Sequence, residues 1–300
     1  MRKILLLTSM IITLNSIAQI PTNGLVGWYP FNGNANDESG NSNNGMVNGA
    51  ILTTDRFGNL EKAYYFKGVD AQINVPSSSS ISNFPNGQTL AFWMKISAFP
   101  TDGKEHYMID KTDNSGIPNT KFYQAFISDY GQIDNIVYRY AESAASSSQG
   151  TAIPFSGIQL DKWIHVCFTT DLTITNTYIN GVLFQTYNHY SPIGLTVNPL
   201  IFGNTNGINN TNAPYSGNLD DIGIWNRPLT QAEITNLYDS NYGNVGIGIT
   251  NPQRKLHVND IMRLEPRNTA PSNPSKGDIY FDGILNKLRV YDGTTWQNCW

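Results

Sequence analysis

Short apolar runs alternate with turn-forming residues along most of this chain. Clusters of Gly, Asn, Asp, Ser and Pro separate the runs, and apolar and polar residues alternate within several of them. An alternation with a period of two is typical of β-strands. The pattern therefore predicts strands at residues 25–31, 63–66, 71–76, 88–96, 105–111, 121–128, 135–140, 161–170, 173–187, 200–203 and 219–225.

The longest polar interruption lies between the first two of these strands. It contains the run G-N-A-N-D-E-S-G-N-S-N-N-G at residues 33–45. Residues of these types favour turns and do not build a core, so we expect a surface loop here. Residues 112–120, 141–150 and 204–218 have a similar composition, and we expect loops there as well.

The segment 173–187 contains the clearest hairpin signal. Asn180-Gly181 lies between two apolar runs. Because both residues tolerate a positive φ, this dipeptide predicts a tight turn between two antiparallel strands.

A single helix is predicted after the last strand. Thr230 and Glu233 have the spacing of a capping box, and the apolar positions that follow continue a helical period to about Asp239. The chain shows no alternation of strands with helices. It is therefore predicted to be all-β: an antiparallel β-sandwich, or jelly roll, with one short C-terminal helix.

The first residues have the composition of a secretory signal peptide. Arg2-Lys3 precede an apolar run at 4–14, and Ser16-Ile17-Ala18 is a small-x-small cleavage signal. The run is too short to span a bilayer. We therefore expect residues 1–18 to be removed and the protein to be secreted or held at the cell surface; a buried helix is the alternative.

Composition narrows the classes of partner. Charged residues make up 14% of the chain, and the net charge is −4, which argues against a surface for nucleic acid. No second long apolar run follows the leader, so no membrane insertion is expected after its removal. Cys167 and Cys299 could pair in an exported protein, but Cys167 lies in an apolar run and we expect it to be a buried free thiol.

Residues 24–238 resemble the LamG-like, or laminin-G-type, jelly-roll domains of the concanavalin A-like lectin/glucanase superfamily. One departure is that many members have Asp-Gly-x-Asp-Asp where this chain has Lys67-Gly68-Val69-Asp70-Ala71. The resemblance implies a domain at residues 19–240 and is carried by G-L-V-G-W-Y-P-F-N-G-N-A-N-D-E-S-G-N at 24–41, Y-F-K-G-V-D at 65–70, L-A-F-W-M-K at 90–95, K-W-I-H-V at 162–166, Y-I-N-G at 178–181 and N-L-D-D-I-G-I-W-N-R-P-L at 218–229.

Residues 241–300 resemble a different kind of module. N-V-G-I-G-I-T-N-P at 244–252 and K-L-H-V at 255–258 are similar to segments of bacterial surface proteins and phage tail-fibre tips. The patterns predict hairpins, one of 245–249 with 255–258 and one of 279–281 with 287–291 and 295–298. A module of about sixty residues buries little apolar area by itself. We therefore expect it to dock on the sandwich or to form a homo-oligomer.

The superfamily includes glucanases, so a catalytic site was sought. Retaining glycosidases need two carboxylates about 5 Å apart. The nearest match is Asp220-Asp221, but adjacent residues of a regular strand point to opposite faces. We therefore expect no catalytic residues and no enzyme activity, with a glycoside hydrolase as the less favoured alternative.

A structural calcium ion is implied by the resemblance, because related jelly rolls hold one between loops near the two ends of the domain. Residues 34–44 offer the carboxylate and amide oxygens that Ca²⁺ prefers. On that analogy Asp37 and Asp220 are the expected metal ligands. The alternative is that Asp37 forms an Asx-turn and Asp220 caps a strand end.

These observations predict a secreted, non-enzymatic binding or adhesion protein. The expected partner is a carbohydrate or an extracellular protein, recognised by loops of the sandwich. Loop aromatics such as Tyr187, Tyr190 and Tyr215 could stack on a sugar, but none has a signal strong enough to name a ligand site. The alternative is a structural surface component whose C-terminal module sets the oligomeric state.

Overall fold

A computed structural model describes the chain at residues 20–68, 70–112, 122–128, 135–141, 149–171, 173–188, 197–205, 212–239, 245–247, 256–258 and 262–299. The chain forms two compact units. One is Ala18–Ser240, and the other contains Asn241–Trp300. Within the described residues, no helix combines the length and the apolar character needed to cross a bilayer.

The first unit is a two-sheet sandwich with one helix, α1 (Gln231–Asp239). Its strands are β1 (Leu25–Tyr29), β2 (Met46–Asn48), β3 (Ile51–Thr53), β4 (Ala63–Lys67), β5 (Gln72–Val75), β6 (Gln88–Lys95), β7 (Glu105–Thr112), β8 (Phe122–Ser128), β9 (Asn135–Ala141), β10 (Gln149–Pro154), β11 (Ile164–Thr170), β12 (Ile174–Ile179), β13 (Val182–Asn188), β14 (Leu200–Phe202), β15 (Asn212–Pro214) and β16 (Ser216–Trp225).

The strands form two sheets of eight. In sheet I the order is β13-β12-β11-β6-β16-β4-β3, and β1 also pairs with β16. In sheet II the order is β10-β9-β8-β7-β14-β5-β2, and β15 also pairs with β7. All of these pairs are antiparallel except that of β15 with β7. The predicted antiparallel sandwich is therefore confirmed.

Aromatic side chains fill the space between the sheets. Tyr29 meets Phe202 with ring centroids 4.9 Å apart, and Tyr138 stacks on Phe168 at 4.8 Å. Gly203, at a φ of +80°, lies against Phe66 so closely that an added Cβ would come within 1.9 Å of the ring. The core thus requires glycine at the end of β14.

The outer face of sheet I is also covered. Trp93 and His165 lie on neighbouring strands of this face, and they are only 7% and 2% exposed. Tyr238 of α1 stacks on Trp93, with ring centroids 5.6 Å apart. This cover explains why β6 is buried on both faces, as its apolar composition predicted.

The predicted capping box is present at the start of α1. The Glu233 N–H donates to Thr230 Oγ1 at 3.3 Å, and the Thr230 N–H donates to Glu233 Oε2 at 2.8 Å. The hairpin turn is confirmed as well, because Asn180 and Gly181 have φ values of 50° and 77°.

Three loop predictions were partly wrong. The polar segment after β1 contains the edge strands β2 and β3, β10 begins at residue 149, and β15 lies within 204–218. These strands lie at sheet edges or are only three residues long. Pairing with a neighbouring strand stabilises them, and their own pattern of apolar and polar residues is too short to predict them. Residues 142–148 and 206–211 lie outside the described residues.

The second unit contains β17 (Val245–Ile247), β18 (Leu256–Val258), β19 (Ile279–Asp282), β20 (Lys287–Tyr291) and β21 (Trp296–Asn298). The last three form an antiparallel sheet in the order β19-β20-β21, as predicted. The hairpin of 245–249 with 255–258 was wrong, since β17 and β18 pair in parallel. A tight turn cannot join two parallel strands, because the chain has to return to the end at which the first strand began.

Candidate functional site

Asp37 is the centre of a hydrogen-bond network that holds the loop after β1. Its Oδ1 accepts the N–H groups of Trp28 and Ser39, each at 2.9 Å, and its Oδ2 accepts the N–H of Asn43 at 2.9 Å. Asn44 Oδ1 in turn accepts the Asp37 N–H at 3.0 Å. Asp37 is only 9% exposed. Its carboxylate accepts backbone N–H groups that a neighbouring strand would otherwise bind, and it thereby fixes the loop.

Asp220 and Asp221 lie together on the outer face of sheet I. A β-bulge interrupts the pairing of β16 with β6 between Asp220 and Gly223, and Asp221 has a φ of 46°. The prediction that the two carboxylates point to opposite faces is therefore wrong. A bulge inserts one residue, which turns the second carboxylate to the side of the first.

Arg56 joins the two carboxylates. Its Nη1 donates to Asp220 Oδ2 at 3.3 Å and also bonds Asp221 Oδ2. Its guanidinium lies 4.5 Å from the Trp93 ring centroid and 4.3 Å from that of Phe57. We call Arg56, Asp220 and Asp221 the carboxylate pair cluster.

Burial determines the electrostatics of this cluster. The desolvation of Asp221 raises its pKa to about 6, although Arg56 opposes the shift. The pKa of Asp220 is raised well above its usual value, first by burial and then by the charge of Asp221. Burial lowers the pKa of the neighbouring His165 to about 3, and Arg56 adds to the shift, so His165 is a neutral core residue.

The carboxylate pair cluster is a structural group. Its members are almost fully covered, with side-chain exposures of 6% for Arg56 and 3% and 6% for the two aspartates. A polysaccharide cannot reach such carboxylates, and glycosidic cleavage requires the reacting bond to lie between them.

The carboxylates of sheet II are also unsuited to glycoside cleavage. Glu105 pairs with Arg139 at 2.6 Å, and Asp110 accepts hydrogen bonds from Gln124 at 2.8 Å and Thr205 at 2.7 Å. Both acids belong to β7, five positions apart, which corresponds to roughly 16 Å along a strand. Retaining and inverting glycosidases both need shorter separations.

The two predicted metal ligands already have hydrogen-bond partners within the chain. Asp37 faces three N–H donors, and Asp220 faces a guanidinium. The Ser39 N–H bond makes the Asx-turn of the alternative at Asp37. Asp220 does not cap a strand end, because it lies within β16, where its Oδ1 accepts the Asp221 N–H at 2.8 Å beside the bulge. Within the described residues, no group of three His, Cys, Asp or Glu side chains could hold a metal. Calcium binding stays a prediction.

A cleft of about 260 Å³ opens where the two sheets end. Residues of sheet I, of sheet II and of the segment after β6 line it. Its aromatic members are Tyr65, Phe99 and Tyr215, and its polar members are Ser97, His106 and Ser216. Among the described residues that line it, none is Lys or Arg. We call this the end cleft.

His106 holds one wall of the end cleft. Its Nε2 lies 2.8 Å from Asp102 Oδ1, and its Nδ1 lies 3.1 Å from the carbonyl oxygen of Pro214. Both partners are hydrogen-bond acceptors, and the imidazole ring lies between them. Desolvation raises the pKa of Asp102, but the bond and the charge of His106 outweigh it and the pKa is lowered. These bonds tie the segment after β6 to the start of β16.

The aromatic residues considered from sequence have different positions. Tyr215 is fully buried at the end cleft, where its hydroxyl lies 3.3 Å from the Lys95 and Asn218 carbonyl oxygens. Tyr187 is 39% exposed on β13, and Tyr190 lies outside the described residues. Sequence reasoning missed Tyr65, Phe99 and His106, because they come from three separate segments that only the fold brings together.

The fold and the end cleft define a β-sandwich of the jelly-roll type with an open recess, whose described lining contains no Lys or Arg. A laminin G family model, described as concanavalin A-like lectin/glucanases superfamily, matches residues 67–235. That match covers more than half of the chain. The chain therefore belongs to this superfamily, as its motifs indicated.

Solved structures with the same fold include binding domains of toxins. The receptor binding domain of botulinum neurotoxin C/D mosaic serotype has a TM-score of 0.59 and 18% identity, with 75% of this chain and 53% of that chain covered. The binding domain of Paraclostridial Mosquitocidal Protein 1 has a TM-score of 0.57 and 20% identity, with 74% and 53% covered.

A third structure is the botulinum neurotoxin serotype D ligand binding domain in complex with N-acetylneuraminic acid. Its TM-score is 0.57 and its identity 18%, with 74% of this chain and 52% of that chain covered. The chain thus spans about half the length of each of these structures. A search of curated protein sequences found no match.

Proposed function

We propose that this protein is a secreted, non-enzymatic binding or adhesion protein, and that its jelly roll takes an uncharged glycan into the end cleft. The end cleft is the observation that carries the proposal. It combines aromatic surface with exposed hydroxyl groups, and binding sites for small ligands are typically concave and apolar with a few polar groups.

Several hydroxyls in the end cleft are available to a ligand. Ser97, Ser216 and Tyr65 are exposed, and within the described part of the chain their side-chain hydroxyl groups have no hydrogen-bond partner. Aromatic rings offer apolar faces against which the C–H groups of a sugar can pack. The volume of about 260 Å³ suits one sugar residue better than a long chain.

The charge of the lining favours a neutral sugar. Arg and Lys pair more strongly with the carboxylate of an acidic sugar than neutral groups do, and the described lining offers neither. One of the similar structures holds N-acetylneuraminic acid and another holds SialylT. For this chain we expect neutral glycans to bind in preference to sialylated ones.

The experiment is a glycan array with the mature chain, followed by titration of each bound glycan. Tyr65→Ala should weaken binding by tenfold or more, because it removes an aromatic wall of the end cleft. Tyr187→Ala is the matched control, since Tyr187 is exposed to nearly the same extent, 39% against 37%, but lies on β13. Ser97→Trp, which fills the end cleft, should abolish binding.

Other outcomes would reject parts of the proposal. Binding that Tyr187→Ala removes and Tyr65→Ala spares would place the ligand on β13. An empty array together with a captured extracellular protein would replace the glycan by a protein partner. Hydrolysis of a bound glycan would overturn the non-enzymatic role.

Secretion has its own test. We expect export from the native cell with cleavage after Ala18, so that the mature chain begins at Gln19. Intact mass and N-terminal sequencing of the protein recovered outside the cell would check this. A full-length chain that stays inside the cell contradicts the signal peptide.

A further inference from the structure

The C-terminal sheet of β19, β20 and β21 has one apolar face. Pairing aligns Ile279 with Val290 and Phe281 with Leu288. Paired residues of neighbouring strands lie on the same face, and alternate residues of a strand share that face. The four side chains therefore form one patch, which we call the apolar face.

The apolar face is incompletely covered. Ile279 is 48% exposed, and Phe281, Leu288 and Val290 are each partly exposed. The opposite face differs, because Tyr280 is buried there and packs edge-on against Trp296 with ring centroids 4.6 Å apart. Among the described residues 262–299, side chains of this unit cover one face of the sheet and leave the other partly exposed.

This unit has little core of its own. Among residues 262–299, only Tyr280 and Asp282 are buried. A short sheet relies on its hydrophobic face for stability, and a unit of this size buries only part of its chain. The apolar face is the surface on which a second layer would pack.

Charge distribution favours a second copy of this chain as that layer. The charged strand residues Asp282, Lys287 and Arg289 alternate onto the opposite face. When two copies meet across a two-fold axis, the same surface patch of each copy forms the contact, so the patch must be complementary to itself. On the side of the apolar face Gln297 lies opposite Val290 and holds the Asp292 carboxylate at one margin, with Nε2 2.8 Å from Oδ2. The four apolar side chains can therefore meet their counterparts without opposing like charges.

Cys299 lies at the margin of this face. Its N–H donates to the Leu288 carbonyl oxygen at 2.9 Å, which continues the pairing of Arg289 with Asn298 by one residue. Alternation then places Cys299 on the side of Leu288, and the thiol is exposed. It is therefore a natural reporter for the approach of a second copy.

We propose that this protein self-associates through the apolar face, with the Ile279, Phe281, Leu288 and Val290 side chains of two copies packed against each other. The inference is independent of the glycan proposed above. The four side chains of each copy bury less surface area than the roughly 800 Å² that each partner buries in a stable complex. The association should therefore be weak and change with concentration in the micromolar range.

Sedimentation of the mature chain over the micromolar range tests the proposal. We expect the weight-average mass to rise with concentration, and Phe281→Asp to abolish the rise, because it places a charge on both sides of the contact. Leu288→Lys should do the same with the opposite charge. Ile284→Asp is the matched control, since Ile284 is 69% exposed and belongs to the loop between β19 and β20.

Cross-linking locates the contact. A short bis-maleimide should join two chains through Cys299, since Cys167 is fully buried. The linked dimer should disappear in Cys299→Ser and in Phe281→Asp. Near-UV circular dichroism of each variant shows whether the jelly roll remains folded.

Three results would overturn the inference. A constant monomer mass up to the highest soluble concentration excludes a second copy. Association that survives both Phe281→Asp and Leu288→Lys places the contact elsewhere. Hydrogen-exchange protection of residues 287–291 that is high at every concentration in a monomer assigns the second layer to the chain itself.

Discussion

The jelly roll and the C-terminal sheet differ in what covers their strands. In the jelly roll each sheet covers the other, and α1 with the Arg56 segment covers much of the outer face of sheet I. Side chains such as Phe92 and Phe202 are completely buried. In the C-terminal sheet the same kind of alternation leaves Ile279 48% exposed.

The difference concerns the source of stability. A sandwich buries apolar area against its own chain, so its free energy of unfolding is independent of protein concentration. Under the proposed self-association a second copy covers the apolar face, and a partner that binds only the folded state adds stability with concentration. Substitutions in the two units should therefore have effects of different size and different concentration dependence.

The largest effect is expected from Arg56→Ala. It leaves two buried carboxylates without their guanidinium, and breaking a buried ion pair costs about 3–5 kcal/mol. Chemical denaturation at pH 7 would measure the loss. The control is Arg263→Ala in the other unit, where the pair with Glu265 is 77% and 76% exposed and contributes at most about 1 kcal/mol. Equal effects would contradict the structural role of the cluster.

Asp37→Ala should follow, with a loss of roughly 2–4 kcal/mol, because three N–H groups lose their acceptor. Asp292→Ala is its counterpart in the C-terminal sheet, where an exposed carboxylate accepts the N–H groups of Thr294 and Thr295. We expect Asp292→Ala to leave the jelly-roll transition unchanged. Thermal unfolding followed by tryptophan fluorescence would compare the two variants.

The carboxylate pair cluster predicts a pH dependence. Burial raises the pKa of Asp221 from 3.8 to about 6 in the folded protein, so the unfolded chain ionises more easily. Stability from this group is complete below pH 4 and falls as the pH rises through 6. Asp221→Asn cannot ionise, so the stability of the wild type relative to this variant should decline between pH 4 and pH 6. Parallel pH profiles would refute the assignment.

A smaller effect is expected from Thr230→Ala at the start of α1. Loss of an N-terminal cap costs about 1 kcal/mol. Thr230→Ser keeps the hydroxyl and should restore most of the stability, which urea denaturation can resolve. A loss as large as that of Arg56→Ala would mean that Thr230 has a role beyond the cap.

The smallest effect is expected from calcium. Asp37 and Asp220 accept N–H groups and a guanidinium, which calcium would have to displace, so the rise in the melting temperature of the jelly roll between EDTA and added Ca²⁺ should be small. No rise would reject the predicted site, because a metal that binds only the folded state has to raise the melting temperature.

The sequence predicts well those elements whose residues carry their own signal. The strand β6 is a continuous run of mainly apolar residues, which is typical of a buried strand. Asn180-Gly181 is typical of a tight hairpin turn because both residues tolerate a positive φ. The strands β2 and β15 carry no such signal, because they consist of three residues each and depend on β5 and β7 for their pairing.

The candidate sites were less predictable, because they depend on geometry between segments. The bulge at Asp220-Asp221 turns one side chain to the opposite face from the one expected. The pattern of apolar and polar residues in β16 does not indicate that a residue is inserted there. Arg56 lies in a stretch read as loop, so its ion pairs with β16 were not foreseen. The end cleft likewise combines Tyr65, Phe99 and His106 from separate strands and loops.

The position of β16 has a consequence for the order in which the molecule forms. This last strand of the jelly roll lies between β6 and β4 and also pairs with β1, so that Leu25 meets Trp225. A ribosome releases β16 after every other strand of the sandwich, and until then β6 and β4 each have an open edge. Closure of sheet I is therefore a late event, slowed by the long loop that must close between residues 25 and 225.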